Sequence, residues 1–129
     1  MTLNIKGTLL DLSKPKVMGI LNITPDSFFD GGEYNTEEKI LSQVKKMLIE
    51  GADIIDIGGQ SSRPGAKKLT IKKEIDRVIP IIKLITKKYK NVIISIDTFN
   101  SEVAKKAIDA GASIVNDISG GDIDKDMYR

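Results

Sequence analysis

The chain has 129 residues, 40% hydrophobic and 29% charged, with a formal net charge of +2, enough for one modest domain with a core. The charge is too balanced, and the lysines too scattered, to mark a nucleic-acid surface. Without cysteine or histidine there is no disulfide framework or thiolate zinc site, and any metal needs oxygen ligands, which points to Mg²⁺.

Leu3 to Leu12 hold two short apolar pieces around Lys6-Gly7, which predict a small hairpin under the bottom of a sheet. Val17 to Leu21 is the first full strand. It runs into N-I-T-P-D-S-F-F-D-G-G, residues 22–32, a stretch of turn formers longer than the usual strand-to-helix connection. Phe28 and Phe29 give it aromatic anchors, as a lid over a site would have; alternatively, both rings simply pack on the scaffold. Asn35, with Glu38 three residues on, opens the first helix as a capping box. Ile40, Leu41, Val44, Met47, Leu48 and Ile49 form its apolar stripe, and Gly51 ends it.

Asp53 to Ile57 is the second strand. It breaks at Gly58-Gly59 into a polar loop of Gln60, Ser61, Ser62 and Arg63, closed by Pro64-Gly65. Thr70 caps the second helix, which runs to about Tyr89 with Ile71, Ile75, Val78, Ile79, Ile82 and Ile85 at helical spacing. Pro80 inside it predicts a bend. Val92 to Ile96 is the third strand, ending in Asp97-Thr98. Ser101 to Ala110 is the third helix, with Val103, Ala104, Ala107 and Ile108 inward and Gly111 as the stop. Ala112 to Val115 is the fourth strand, ending in Asn116-Asp117, and the residues after Gly121 read as the polar start of another element.

The order is β-α-β-α-β-α-β. The pieces E-G-A-D-I-I-D and D-A-G-A-S-I-V-N-D nearly repeat one another, as (βα) units do. The fold class is therefore α/β, with parallel strands from an eight-stranded barrel or an open sheet. A barrel takes about 250 residues, so about half of one is present.

Asn22, Asp56, Asp97, Asn116 and Asp117 all fall at the C-terminal ends of strands, which share one face in a parallel barrel. A carboxylate among apolar neighbours is costly unless something satisfies it. A flat heterocycle with adjacent ring N–H and amino groups would do so. The competing reading is that such residues cap neighbouring loops. Gly58, Gly59, Ser61, Ser62 and Arg63 suit an anion, since glycines admit the backbone and a guanidinium matches phosphate oxygens. Asn22 offers an oxygen to Mg²⁺ or to the phosphate shell. The chain shows no evident nucleophile.

Four segments carry a resemblance: M-G-I-L-N-I-T-P-D-S-F-F-D-G-G (18–32), G-A-D-I-I-D-I-G-G-Q-S-S-R-P-G-A (51–66), I-S-I-D-T (94–98) and G-A-S-I-V-N-D-I-S-G (111–120). In this order they resemble dihydropteroate synthase, a pterin-binding (βα)8 barrel of folate synthesis. The resemblance implies that residues 1–129 are the N-terminal part of one such barrel domain. It implies condensation of (7,8-dihydropterin-6-yl)methyl diphosphate with 4-aminobenzoate, by an S_N1-type displacement assisted by Mg²⁺. Asp97 and Asn116 match the residues that hold the pterin, and Asp56 a strand-two carboxylate nearby. Asn22 matches the residue associated with Mg²⁺ and diphosphate. Ser62 and Arg63 match the pair organising the diphosphate and aminobenzoate side, where Asp26, Phe28 and Pro64 shape the closed loops. No apolar run approaches the roughly 18 residues of a membrane span and the N-terminus lacks a signal-peptide pattern, so the expected location is cytoplasmic with no membrane partner. The partners the family implies are its two small-molecule substrates and, for the full-length protein, a second copy in a homodimer.

Two departures stand out. Gln60 and Ser62 replace the Glu and Thr more usual in the second loop, and Phe29 replaces a small Ser in the first. The family's later strands supply a further Asp, a Lys and an Arg-x-His pair that have no counterpart here. The 129-residue chain is accordingly expected to be a fragment, inactive and poorly folded by itself. A folate-dependent methyltransferase of similar barrel is the enzymatic alternative. A non-catalytic, pterin-binding or oligomerising half barrel is the other.

Overall fold

The computed structural model describes residues 1–23, 36–60 and 69–128. An antiparallel hairpin comes first, β1 (Thr2–Ile5) and β2 (Thr8–Asp11). Lys6 and Gly7 both take positive φ, 50° and 86°, the left-handed pair that a tight two-residue hairpin turn demands. The Lys6 ammonium donates to the Gly111 carbonyl at 3.0 Å. That bond ties the hairpin to the end of the sheet where strands begin, as expected.

The main body is β3 (Met18–Asn22), α1 (Thr36–Ile49), β4 (Ile54–Gly58), α2 (Ile71–Lys88), β5 (Ile93–Asp97), α3 (Ser101–Ala110) and β6 (Ile114–Asn116). The four strands are parallel and adjacent in chain order, β3-β4-β5-β6. Strand order that never reverses is the pattern of a barrel wall. This is an α/β fold of barrel type, with the hairpin at one end.

Alternation along the strands sorts the two faces. Leu21, Ile55, Ile57, Ile94 and Ile96 pack with Ile40 and Val44 of α1, Val78, Ile82 and Ile85 of α2, and Val103 and Ala107 of α3. Burying each large side chain contributes about 1.5–3 kcal/mol, so this layer holds the sheet to the helices. The opposite face carries Met18, Ile20 and Asn22 of β3, Asp56 of β4, Ser95 and Asp97 of β5, and Asn116 of β6. Ile20 on that face is 62% exposed.

Local signals place the helices. The Thr70 hydroxyl accepts from Lys73 N–H at 3.2 Å and caps α2. Pro80 lies on the exposed side within an unbroken helix. Gly51 and Gly111, at φ 107° and 131°, end the turns after α1 and α3. Three inward expectations are corrected, because Ile49, Ile71 and Ile108 are exposed. The first two are terminal helix residues beyond the sheet, and Ile108 lies on the flank of α3. No described helix is long and apolar enough to cross a membrane.

Every strand of the sheet starts and ends one or two residues later than its apolar run suggests. Val17 accepts from the Asp53 and Ile54 N–H groups, and the Val92 and Ala112 N–H groups bond back to Tyr89 and Ala107. The first apolar residues thus belong to turns. The ladder meanwhile runs on through Asn22, Gly58, Asp97 and Asn116, since backbone pairing is indifferent to side-chain polarity.

Candidate functional site

Register places the polar residues in two rows across the open face. Asn22, Gly58, Asp97 and Asn116 are paired in succession at the C-terminal edge. One pleat below come Ile20, Asp56, Ser95 and Ile114. A Cβ placed on Gly58 would lie 3.3 Å from Asp97 Oδ2 and 3.7 Å from Asn22 Oδ1, so both side chains lean over the same glycine. Between the rows, the Asn116 amide donates to Asp56 Oδ2 at 3.2 Å. Asn22, Asp56, Asp97 and Asn116 are thereby brought together, as the strand-end argument requires.

Asp56 is 3% exposed, yet its Oδ1 has no hydrogen-bond partner among the described residues, and neither has Ser95 Oγ beside it in register. Buried acceptors without partners are expensive and rare. Burial pushes the Asp56 carboxyl above its ordinary value, against the hydrogen bond from the Asn116 amide, which holds it down. Asp97 is pushed up to about 6, by burial first and then by the negative charges of Asp56, Glu74 and Asp117. Such a cup is electronegative and rich in acceptors. It favours a ligand edge made of N–H groups.

Asp117 takes the loop-capping role that competed with ligand binding. Its carboxylate accepts from Ser119 N–H and Oγ at 2.8 and 2.7 Å and from Gly121 N–H at 2.9 Å. Burial alone would raise its pKa, but these bonds lower it on balance.

The expected Mg²⁺ is a correction. Among the described residues no group of three or more Asp, Glu, His or Cys side chains could hold a metal ion. Asp56 Oδ2 is bonded to Asn116, Asp117 to its own loop, and both Glu74 oxygens to Thr98 and Asn100, which leaves Asp97 as the acid beside Asn22 among the described residues. The residue paired with Asn22 is a glycine. These residues do not fit the metal, and Asn22 is left as a neutral amide beside Asp97.

Ser62, Arg63 and Pro64 of the second loop, and Asp26, Phe28 and Phe29 of the first, lie outside the described residues, as does Asn35. Gln60 is within them, and its Oε1 is buried with no partner among the described residues. Two cavities of about 410 and 440 Å³ lie at the opposite end of the sheet, near Lys90, Asn91 and Val92. They are far from the carboxylate rows and take no part in the site.

Sequence reasoning missed four residues next to it: Glu74, Ser95, Thr98 and Asn100. Glu74 is 1% exposed and shares the buried stripe of α2 with Val78, Ile82 and Ile85. A carboxylate at a core position of a helical stripe was the readable signal. For Ser95 the signal was a hydroxyl two residues before Asp97, hence on the same face.

Residues 18–129 match the family described as "Pterin binding enzyme". The chain is 52% identical over 124 residues to a folate synthesis bifunctional protein of Arabidopsis thaliana, covering 94% of this chain and 26% of that one. It is 51% identical over 112 residues to the dihydropteroate synthase of Streptococcus pyogenes serotype M1, covering 87% and 42%. The structure of Xanthomonas albilineans dihydropteroate synthase with 4-aminobenzoic acid superposes with a TM-score of 0.83 at 43% identity, over 92% of this chain and 44% of that one. The chain thus spans less than half the length of each of these relatives. With the motifs, the barrel-type sheet and this match in agreement, the chain belongs to the pterin-binding enzyme family.

Proposed function

We propose that this chain forms the pterin-holding wall of a dihydropteroate synthase, which condenses (7,8-dihydropterin-6-yl)methyl diphosphate with 4-aminobenzoate. The observation that carries the reading is the row of Asp97 and Asn116 above the half-satisfied Asp56. In the reaction the methylene C–O bond breaks and diphosphate leaves with the electron pair. The aniline nitrogen then forms the C–N bond, and its proton passes to solvent. The protein's task is to orient two substrates and exclude water, which needs no protein nucleophile.

Asp97 accepts two N–H donors from the pyrimidine edge of the pterin, and Asn116 adds an amide to the same ring. Asp56 orients Asn116 through their hydrogen bond. Asn22, Ser62 and Arg63 serve the diphosphate, while Pro64 and Phe28 shape the aminobenzoate side. The same reading has the assembled enzyme acting in the cytoplasm as a homodimer.

A chimaera tests it. Residues 18–129 replace the matching part of the Xanthomonas albilineans enzyme, and condensation is followed by product formation. We expect turnover, and Asp97→Asn should reduce kcat/KM for the pterin substrate at least about a hundredfold, as losing a charge-assisted bidentate contact does. A cooperatively folded chimaera without turnover, or one indifferent to Asp97→Asn, contradicts the proposal.

A further inference from the structure

One carboxylate near the site touches none of the residues assigned to substrate. Glu74 lies in the first turn of α2 and is buried. Its Oε2 accepts the Thr98 hydroxyl at 2.6 Å, and its Oε1 accepts the Asn100 amide at 2.9 Å. The Thr98 hydroxyl in turn accepts from Asn100 N–H at 3.1 Å. Both partners belong to the turn that leaves β5 directly after Asp97. The Thr98 N–H donates to the Asn116 carbonyl at 3.2 Å, so Thr98 is tied both to Glu74 and to the next strand of the site. One turn further along α2, Arg77 donates to the Gly59 carbonyl at 3.1 Å. Gly59 follows the glycine under Asp97, and a Cβ on it would sit 3.0 Å from Val78 Cγ1 and 3.6 Å from Glu74 Cγ. The start of α2 therefore grips the chain where it leaves β4 and again where it leaves β5.

From this geometry we infer that Glu74 is a positioning residue for the pterin site, fixing Asp97 through Thr98. The inference rests on the reading of Asp97 given above. The chemistry explains why the residue is a carboxylate. Two donors from two residues converge on it, and only an ionised acid accepts both. A glutamine presents one acceptor and one donor, so one of the two bonds fails in either orientation. A buried network of this kind rigidifies what it holds when every member is satisfied. Glu74 also adds to the negative charge that Asp97 feels, which agrees with their closeness.

The test is a fluorescence titration of the chimaera carrying residues 18–129 with 6-hydroxymethylpterin near pH 8, well above the value of about 6 for Asp97. Alongside it runs a urea unfolding curve. Thr98→Val and Glu74→Gln should each weaken binding about tenfold, the equivalent of one lost hydrogen bond. Thr98→Ser, which restores the hydroxyl, should recover most of the loss. The double variant Glu74→Gln/Thr98→Val should bind about as Thr98→Val alone, since both cut the same link. A purely structural role lowers the unfolding midpoint and leaves affinity untouched. Thr98→Val and Glu74→Gln chimaeras that bind like the parent, while Asp97→Asn does not, overturn the inference and leave the site standing. A folded parent chimaera that binds no pterin, or an Asp97→Asn chimaera that binds it fully, removes the reading of the site and the inference with it.

Discussion

Asp97 faces two opposing demands. Its carboxyl titrates at about 6, raised by burial and by the charges of Asp56, Glu74 and Asp117. On the proposed reading, the ionised form accepts the N–H edge of a pterin. Below the midpoint its population falls about tenfold per pH unit. Pterin affinity of the chimaera should therefore decline at that slope below about pH 6 and level off above about pH 7, in a fluorescence titration series. The fold responds in the opposite sense. The folded value lies above the ordinary 3.8, so the folded chain holds this proton more tightly than the unfolded one. The stability Asp97 contributes is fully present below about pH 4 and is lost as pH rises through about 6. Affinity that stays level across the acid limb contradicts the role given to Asp97.

Among the elements, α3 and the turn after it show how tightly the outer layer is built. Gly111, at φ 131°, closes α3, with its N–H shared between the Ala107 and Ile108 carbonyls. A Cβ there would come within 2.7 Å of Thr86 Cγ2 on α2, whereas one on Gly51, at φ 107°, meets nothing within 4 Å. Gly51→Ala should thus cost only backbone strain, about 1 kcal/mol, and Gly111→Ala about 2–4 kcal/mol, both read from urea unfolding. Adding Thr86→Ser to Gly111→Ala removes the clashing methyl and should restore about half of the loss. Equal penalties at the two glycines would show that the helices do not pack as described. Both stops were legible, because glycine after an apolar stripe has a local cause. The strand ends were less so, since an apolar run reports burial while the ladder reports backbone pairing, and the two differ by a residue or two. Glu74 was only half legible, through its place in the apolar stripe of α2. It is charged and sits in a first turn, where acids are ordinary, and its burial depends on a loop from another strand.

For the whole molecule, the two faces of the sheet have different fates. The helix side is a closed core. The other side exposes Met18 and Ile20, and among the described residues β3 and β6 each pair on one edge only. Open parallel edges, with apolar Met18 and Ile20 exposed on one of them, invite association. The 129-residue chain should sediment as a concentration-dependent mixture and should not condense the two substrates, and Ile20→Lys should shift it toward monomer. A chain that is monomeric at high concentration and turns over substrate refutes this. Residue order by itself determined the α/β class, the four strands, the helix stops and which polar residues close the strands. These follow from local periodicity, turn chemistry and motif spacing. Only the tertiary structure decided which of those polar residues share a cup. It separated Asn116, bonded to Asp56, from Asp117, spent on its own loop, and it brought Glu74 under Asp97. It also set the expected metal aside among the described residues, because no three acidic side chains converge there. Such placements depend on register and on helix docking, and neither is written in any local stretch of the chain.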